Sequence, residues 1–157
     1  MTNKKTLIIT GMNKEVVQML PQITNRTEEQ IVILNSFDNE VSHPYGCTVR
    51  NIIRTLLMEE IEEIFIVAEK GQKNPLDSGA LLLKMKESGI SEDTIKTINY
   101  IKAANGDVMS WLAGQEDVKT AVKGNMTMIQ NHPIIPKGLL IQGFLVNTQT
   151  GEFEVVR

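Results

Sequence analysis

Few side chains in this sequence are equipped for catalysis. It holds one cysteine, Cys47, and two histidines, His43 and His132. A single cysteine cannot close an internal disulfide, which suits a reducing compartment. A closed zinc site of four Cys/His ligands needs one more such residue than the three in the chain. Cys47 follows Gly46 and opens a helical segment, where a thiol can become more acidic and nucleophilic. Nothing in the spacing sets a histidine beside it, so a small, partly buried residue is expected. His43 and His132 each precede proline, and His132 reads as a structural residue that fixes the chain before the last strands.

Ligands of open α/β sheets bind beyond the carboxyl ends of the strands. The segments to inspect are therefore Gly11-Met12-Asn13-Lys14-Glu15, Asn35-Ser36 and Glu69-Lys70-Gly71-Gln72. None contains a G-x-G-x-x-G or G-K-[ST] phosphate loop, and the chain has no G-x-S-x-G nucleophile elbow. Gly11 before a helix start could let a backbone amide approach an anion, but a glycine for a tight strand-to-helix turn is the favoured reading. Glu59, Glu60, Glu62 and Glu63 read as the solvated face of a helix, while Trp111 and the methionines, at helical positions, read as core.

The elements that must position these residues follow from hydrophobic patterning. Thr6 to Thr10 reads as a buried strand bounded by Gly11, and Asn13 caps a short helix, Lys14 to Leu20, that Pro21 closes. Ile31 to Leu34 is a second strand. Val49, Ile52, Ile53, Leu56, Leu57 and Ile61 lie on one face of a helix from about Thr48 to Glu62. Ile64 to Ala68 is a third strand, and this alternation implies right-handed crossovers and a parallel sheet. Ser78 to Glu87 is helical with Gly89 as its stop. Ser91 caps a helix carrying Ile95, Ile98 and Ile101, and Asp117 to Gln130 forms another. Leu139 to Val146 and Glu152 to Val156 make a hairpin whose turn ends at Gly151.

Length and composition agree with one α/β domain spanning residues 1–157. The 157 residues are 41% hydrophobic and 22% charged, with a net charge of −3, the profile of an ordinary globular chain. Well-mixed, mildly acidic charge disfavours nucleic acid, which needs clustered Lys/Arg. No apolar run approaches the ~20 residues of a membrane span, and Leu7-Ile8-Ile9 is too short for a secretory core. A cytoplasmic protein is expected.

The C-terminal segments carry a resemblance. Asn131-His132-Pro133-Ile134-Ile135-Pro136-Lys137-Gly138, Gln142-Gly143-Phe144 and Thr150-Gly151-Glu152-Phe153-Glu154-Val155-Val156 resemble the closing H-P-x-x-P segment, glycine-bearing strand and T-G turn of β-class carbonic anhydrases. Ser110-Trp111-Leu112 and Val118 to Val122 suit the helix before that segment, and the likeness runs upstream through Tyr45 to Val67 to the first strand. It implies a Rossmann-like three-layer fold, a mostly parallel sheet of about five strands with a terminal hairpin, and a homodimer. The family's N-terminal helical arm has no counterpart before Thr6.

The family hydrates carbon dioxide with a zinc ion held by a cysteine in a C-x-D-x-R pattern and by an H-x-x-C pair. Aligned on the strands, these patterns fall on Gly11, Asn13 and Glu15 and on Glu69 and Gln72. All three ligands and both members of the Asp-Arg dyad are thereby replaced. Catalytic zinc needs three protein ligands to lower the pKa of bound water to ~7, and one carboxylate does not supply them. The resemblance therefore implies a degenerate, zinc-free member with no catalytic residues and no cofactor, kept as a module that binds a small anion or a protein partner. Two alternatives are an enzyme of altered chemistry in a cleft of Asn13, Glu15, Arg50 and Glu69, and a carbonic anhydrase with zinc relocated to His43, Cys47 and His132.

Overall fold

The computed structural model describes residues 3–36, 43–71 and 77–157. Within Met1–Gln72 and Asp117–Arg157, which form one compact unit, apolar β-branched runs build a five-stranded sheet. Its strands are β1 (Lys5–Thr10), β2 (Ile31–Asn35), β3 (Ile61–Glu69), β4 (Leu140–Val146) and β5 (Phe153–Val156). Their order is β2-β1-β3-β4-β5. The first four are parallel, with Ile8 opposite Ile33 and Phe65, and Val67 opposite Phe144. β5 turns back antiparallel on β4, through a turn in which Gly151 adopts φ 75°. The expected fold class is what the chain adopts.

Side chains alternate across each strand, so each face of the sheet receives its own apolar layer. Helix α1 (Lys14–Thr24) seats Val16, Leu20 and Ile23 on Ile8, Phe65, Val67, Phe144 and Val146. Helix α2 (Cys47–Met58) and a long helix, Val118–Asn131, cover the other face, where Ile52, Val122 and Ile129 meet Leu7, Ile9, Ile64, Ile66 and Leu145. The closest approach is at Gly143. A Cβ there would stand 2.5 Å from Val122 Cγ1 and 2.8 Å from Met126 Sδ, so only glycine lets that helix lie this close.

The other unit, Lys73–Glu116, contains α3 (Ser78–Glu87), α4 (Glu92–Tyr100) and α5 (Val108–Ala113), so the helix Val118–Asn131 is α6. Ile95, Ala104 and Val108 form its small core, with Leu82, Met85 and Ile98 packed against them. Gly89 ends α3 with φ 86°, and Ser91 Oγ accepts the Thr94 N–H at 3.2 Å to cap α4, both as expected. No helix among the described residues is long and apolar enough to cross a membrane.

Several local expectations are corrected. Pro21 does not close α1, which runs on to Thr24 and ends at Asn25 in the left-handed region, φ 53°. Burial of Leu20 and Ile23 on the sheet outweighs the one backbone donor that proline removes. The helix read to Glu62 ends at Met58, and β3 starts at Ile61 because its first residues extend to pair with Lys5. Glu62 and Glu63 are therefore strand residues and not part of a solvated helical face. Leu57 leaves the buried face and is 75% exposed. Trp111, Met12 and Met58 are exposed and not core. Trp111 lies in α5, a short helix pinned by Asp107, whose Oδ1 accepts from Met109 N at 3.1 Å and Ser110 N at 3.2 Å.

Candidate functional site

The chain leaves β1 toward β2 on one side and returns to β3 on the other, with α1 and α2 on opposite faces. The point where strand order reverses therefore lies between β1 and β3, and a crevice there is the default ligand site of such sheets. Its walls are Thr10, the last residue of β1, with Gly11 to Asn13 just past it, and Glu69, the last residue of β3. Thr10 ties the walls together, its buried hydroxyl donating to the Val67 carbonyl at 2.7 Å.

Side chains bridge the crevice. Asn13 caps α1, its Oδ1 accepting the Glu15 N–H at 2.9 Å, which fixes the amide so that Nδ2 faces β3. Nδ2 donates to Glu69 Oε2 at 2.7 Å. The other carboxylate oxygen, Oε1, accepts the Thr148 hydroxyl at 2.6 Å. Thr148 stands in the turn after β4, brought near because Glu69 pairs with Val146 in the sheet. Asn13, Glu69 and Thr148 are all half-buried, so these charge-assisted bonds are shielded in part from water and stronger than surface ones. Sequence reasoning found Asn13 and Glu69 but missed Thr148. The signal available was the parallel register, which sets the residues after β4 beside the end of β3.

Gly11 immediately follows β1 and contributes no side chain, and its carbonyl accepts Asn35 Nδ2 at 2.8 Å. It is not among the glycines with left-handed backbone. Glu15 and Arg50 are exposed, and neither side chain forms a hydrogen bond or ion pair among the described residues. The proposed cleft thus brings Asn13 and Glu69 together without Glu15 or Arg50. Gln72 lies outside the described residues.

Among the described residues the donor set does not fit zinc. Gly11 has only an engaged carbonyl to offer, and Glu69 already accepts hydrogen bonds on both oxygens. No three His, Cys, Asp or Glu side chains among the described residues are grouped to hold a metal. The relocated set fails on geometry as well. His132 is 3% exposed; its Nδ1 accepts the Ile134 N–H at 3.2 Å, which leaves Nε2–H to donate to the Pro44 carbonyl at 2.7 Å. Both nitrogens are used structurally, as expected of this residue. His43 Nδ1 accepts the Tyr45 N–H at 3.0 Å. Cys47 is exposed, contrary to the partly buried position expected, because it starts α2 on the side away from the sheet-facing Val49 and Ile52.

At the opposite end of β1 and β3, Arg26 forms a second cluster. Its Nε donates to Glu63 Oε1 at 3.1 Å, its Nη1 to the Lys4 carbonyl at 2.9 Å, and its Nη2 to Glu62. Buried Thr6 adds a hydroxyl donor to Glu63 Oε1 at 2.6 Å. The Arg26 hydrogen bond holds the Glu62 carboxyl below the usual carboxylate range, with the Arg26 and Lys4 charges adding to the effect. This cluster stabilises the sheet and faces no crevice residue named above.

No protein-family model matches the chain. It is 31% identical over 156 residues to "Putative carbonic anhydrase YvdA" of Bacillus subtilis (strain 168), covering 98% of this chain and 77% of that protein. Its fold is similar to β-carbonic anhydrase isoform I of Trichomonas vaginalis, with a TM-score of 0.77 at 18% identity, covering 96% and 81% of the two chains. It is also similar to a tetrameric β-carbonic anhydrase of Sordaria macrospora, with a TM-score of 0.59 at 14% identity over 99% and 82%. The sequence likeness covers nearly the whole chain, and the solved structures share its fold. The chain belongs to the β-class carbonic anhydrase family.

Proposed function

We propose that this chain is a zinc-free member of its family that does not hydrate carbon dioxide and serves as a binding or regulatory module in bicarbonate, carbon dioxide or small-anion handling. One observation carries the reading. The Glu69 carboxylate, at one of the positions where the family alignment puts a zinc ligand, is held across the crevice by hydrogen bonds from Asn13 and Thr148. Generating a zinc-bound hydroxide requires three protein ligands and an open fourth position, and neither requirement is met by Gly11 and Glu69. We further propose a homodimer in the cytosol. The tetrameric Sordaria relative, the solvent-facing Leu57 and Met58 at the end of α2, and the lone cysteine support these readings.

The test is carbon dioxide hydration measured with and without added zinc, beside thermal shift in bicarbonate and other small anions. Hydration stays at background in both conditions, and an anion that binds the native state raises the Tm. Hydration that rises above background with zinc overturns the proposal.

A further inference from the structure

The turn that leads into α5 contains the chain's one asparagine followed by glycine, Asn105-Gly106. An asparagine is converted when the next residue's backbone nitrogen attacks its carboxamide carbon. The step is slow where a side chain crowds that nitrogen or hydrogen bonds hold either group in place. Neither restraint operates here. Gly106 has no Cβ, and its N–H donates to no acceptor among the described residues. Asn105 is exposed, and its carboxamide makes no hydrogen bond among them. Both residues have left-handed backbone, φ 56° and 84°, outside the regular ladders that would lock the peptide between them.

Other asparagines among the described residues lack this combination. Asn35 precedes a small residue, Ser36, but its Nδ2 is held by the Gly11 carbonyl at 2.8 Å. Asn25 is also left-handed, φ 53°, but the next nitrogen belongs to Arg26 and donates to the Pro21 carbonyl at 3.3 Å.

We propose that Asn105 is a site of spontaneous modification to aspartate and isoaspartate. The Gly106 nitrogen forms a bond to Asn105 Cγ, the Cγ–Nδ2 bond breaks, and the displaced amide leaves as ammonia with the proton from Gly106. One water then opens the cyclic imide. Opening at Cγ gives aspartate, and opening at the backbone carbonyl gives isoaspartate, whose main chain runs through the side-chain carbons.

The isoaspartyl form adds a methylene to the backbone between two anchored points. Ala104 is buried, and its carbonyl accepts the Asp107 N–H at 3.2 Å. Val108 N donates to Asn99 Oδ1 at 2.8 Å. A longer link cannot keep the Ala104–Asp107 turn closed with Asp107 still capping α5. Trp111, the single tryptophan, lies in that helix and reports the change.

The experiment incubates the full chain and its Asn105→Gly variant at mildly alkaline pH, with intact mass, peptide mapping and isoaspartyl methyltransferase labelling over time. Glycine tolerates the left-handed backbone at 105, so the variant retains the turn. Asn105→Gln, whose longer side chain would close a less favourable ring, is the second control. The wild type gains the mass of one amide-to-acid exchange per chain, mapped to residue 105, while both variants do not, and Trp111 emission shifts as the isoaspartyl fraction grows. Absence of conversion at 105 while a free peptide of the same sequence converts overturns the proposal. So does conversion of another asparagine ahead of it.

Discussion

Glu69 is the residue on which the account of the site turns. Its carboxylate holds Asn13 and Thr148 at 2.7 and 2.6 Å, so Glu69→Ala leaves an amide and a hydroxyl without their acceptor. The expected loss is about 1–3 kcal/mol in denaturant unfolding, toward the low end because all three residues are half-buried. Thr148→Val removes one bond and costs about 1 kcal/mol. Costs indistinguishable from zero for both would show that the bridge is incidental. The converse variant restores the family's donors: Gly11→Cys, Glu69→His and Gln72→Cys together bind zinc more tightly than the parent, as read by metal titration. Gly11 lies outside the left-handed region, so the cysteine meets no φ penalty there. Affinity stays modest because the supporting hydrogen-bond partners of a metal site are absent, and a folded triple variant no better than the parent would place the strand ends wrongly.

At the scale of elements, two contacts are exposed to direct test. Gly143→Ala drives a methyl into Val122 and Met126, and about 1–3 kcal/mol of stability is lost. The methionine can swing aside but the fully buried Val122 cannot, so a neutral result would contradict the packing of α6 on β4. The Arg26 cluster predicts a pH dependence. Its bond to Glu62 holds that carboxyl below the ordinary range. The unfolded chain therefore binds more protons as pH falls, and the contribution is present above the unfolded carboxylate pKa and lost below it. Arg26→Met should lower the Tm by about 2–4 °C at pH 7, with the gap to wild type closing as pH drops below about 4. A gap constant with pH would show that Arg26 acts through packing alone. The boundaries that sequence misplaced have the same kind of cause. Pro21 and Glu62 look like a helix stop and a helix surface by local chemistry, but burial of Ile23 and pairing of Ile61 with Lys5 decide otherwise, and neither long-range contact leaves a local mark.

For the whole molecule, the succession of strands and helices along the chain and the terminal hairpin were legible because apolar runs, caps and the Gly151 turn are local signals. The three-layer arrangement followed only from the family resemblance, and the strand order β2-β1-β3-β4-β5 is set by long-range pairing. The site was legible only as positions. Gly11, Asn13 and Glu69 could be assigned by strand alignment, but Thr148 enters through sheet register, which a one-dimensional reading does not display. The helix carrying Trp111 was read only as part of the helix before the H-P-x-x-P segment, because six residues give too little periodicity to mark a separate element. Self-association is checked by light scattering, where the homodimer gives twice the 17.6 kDa chain mass; the monomer mass at micromolar concentration would remove that part of the proposal. The proposed absence of a metal from the crevice is tested by the zinc content of protein purified without added metal or chelator. Far less than one zinc per chain is expected, and one tightly held zinc per chain would overturn the proposal.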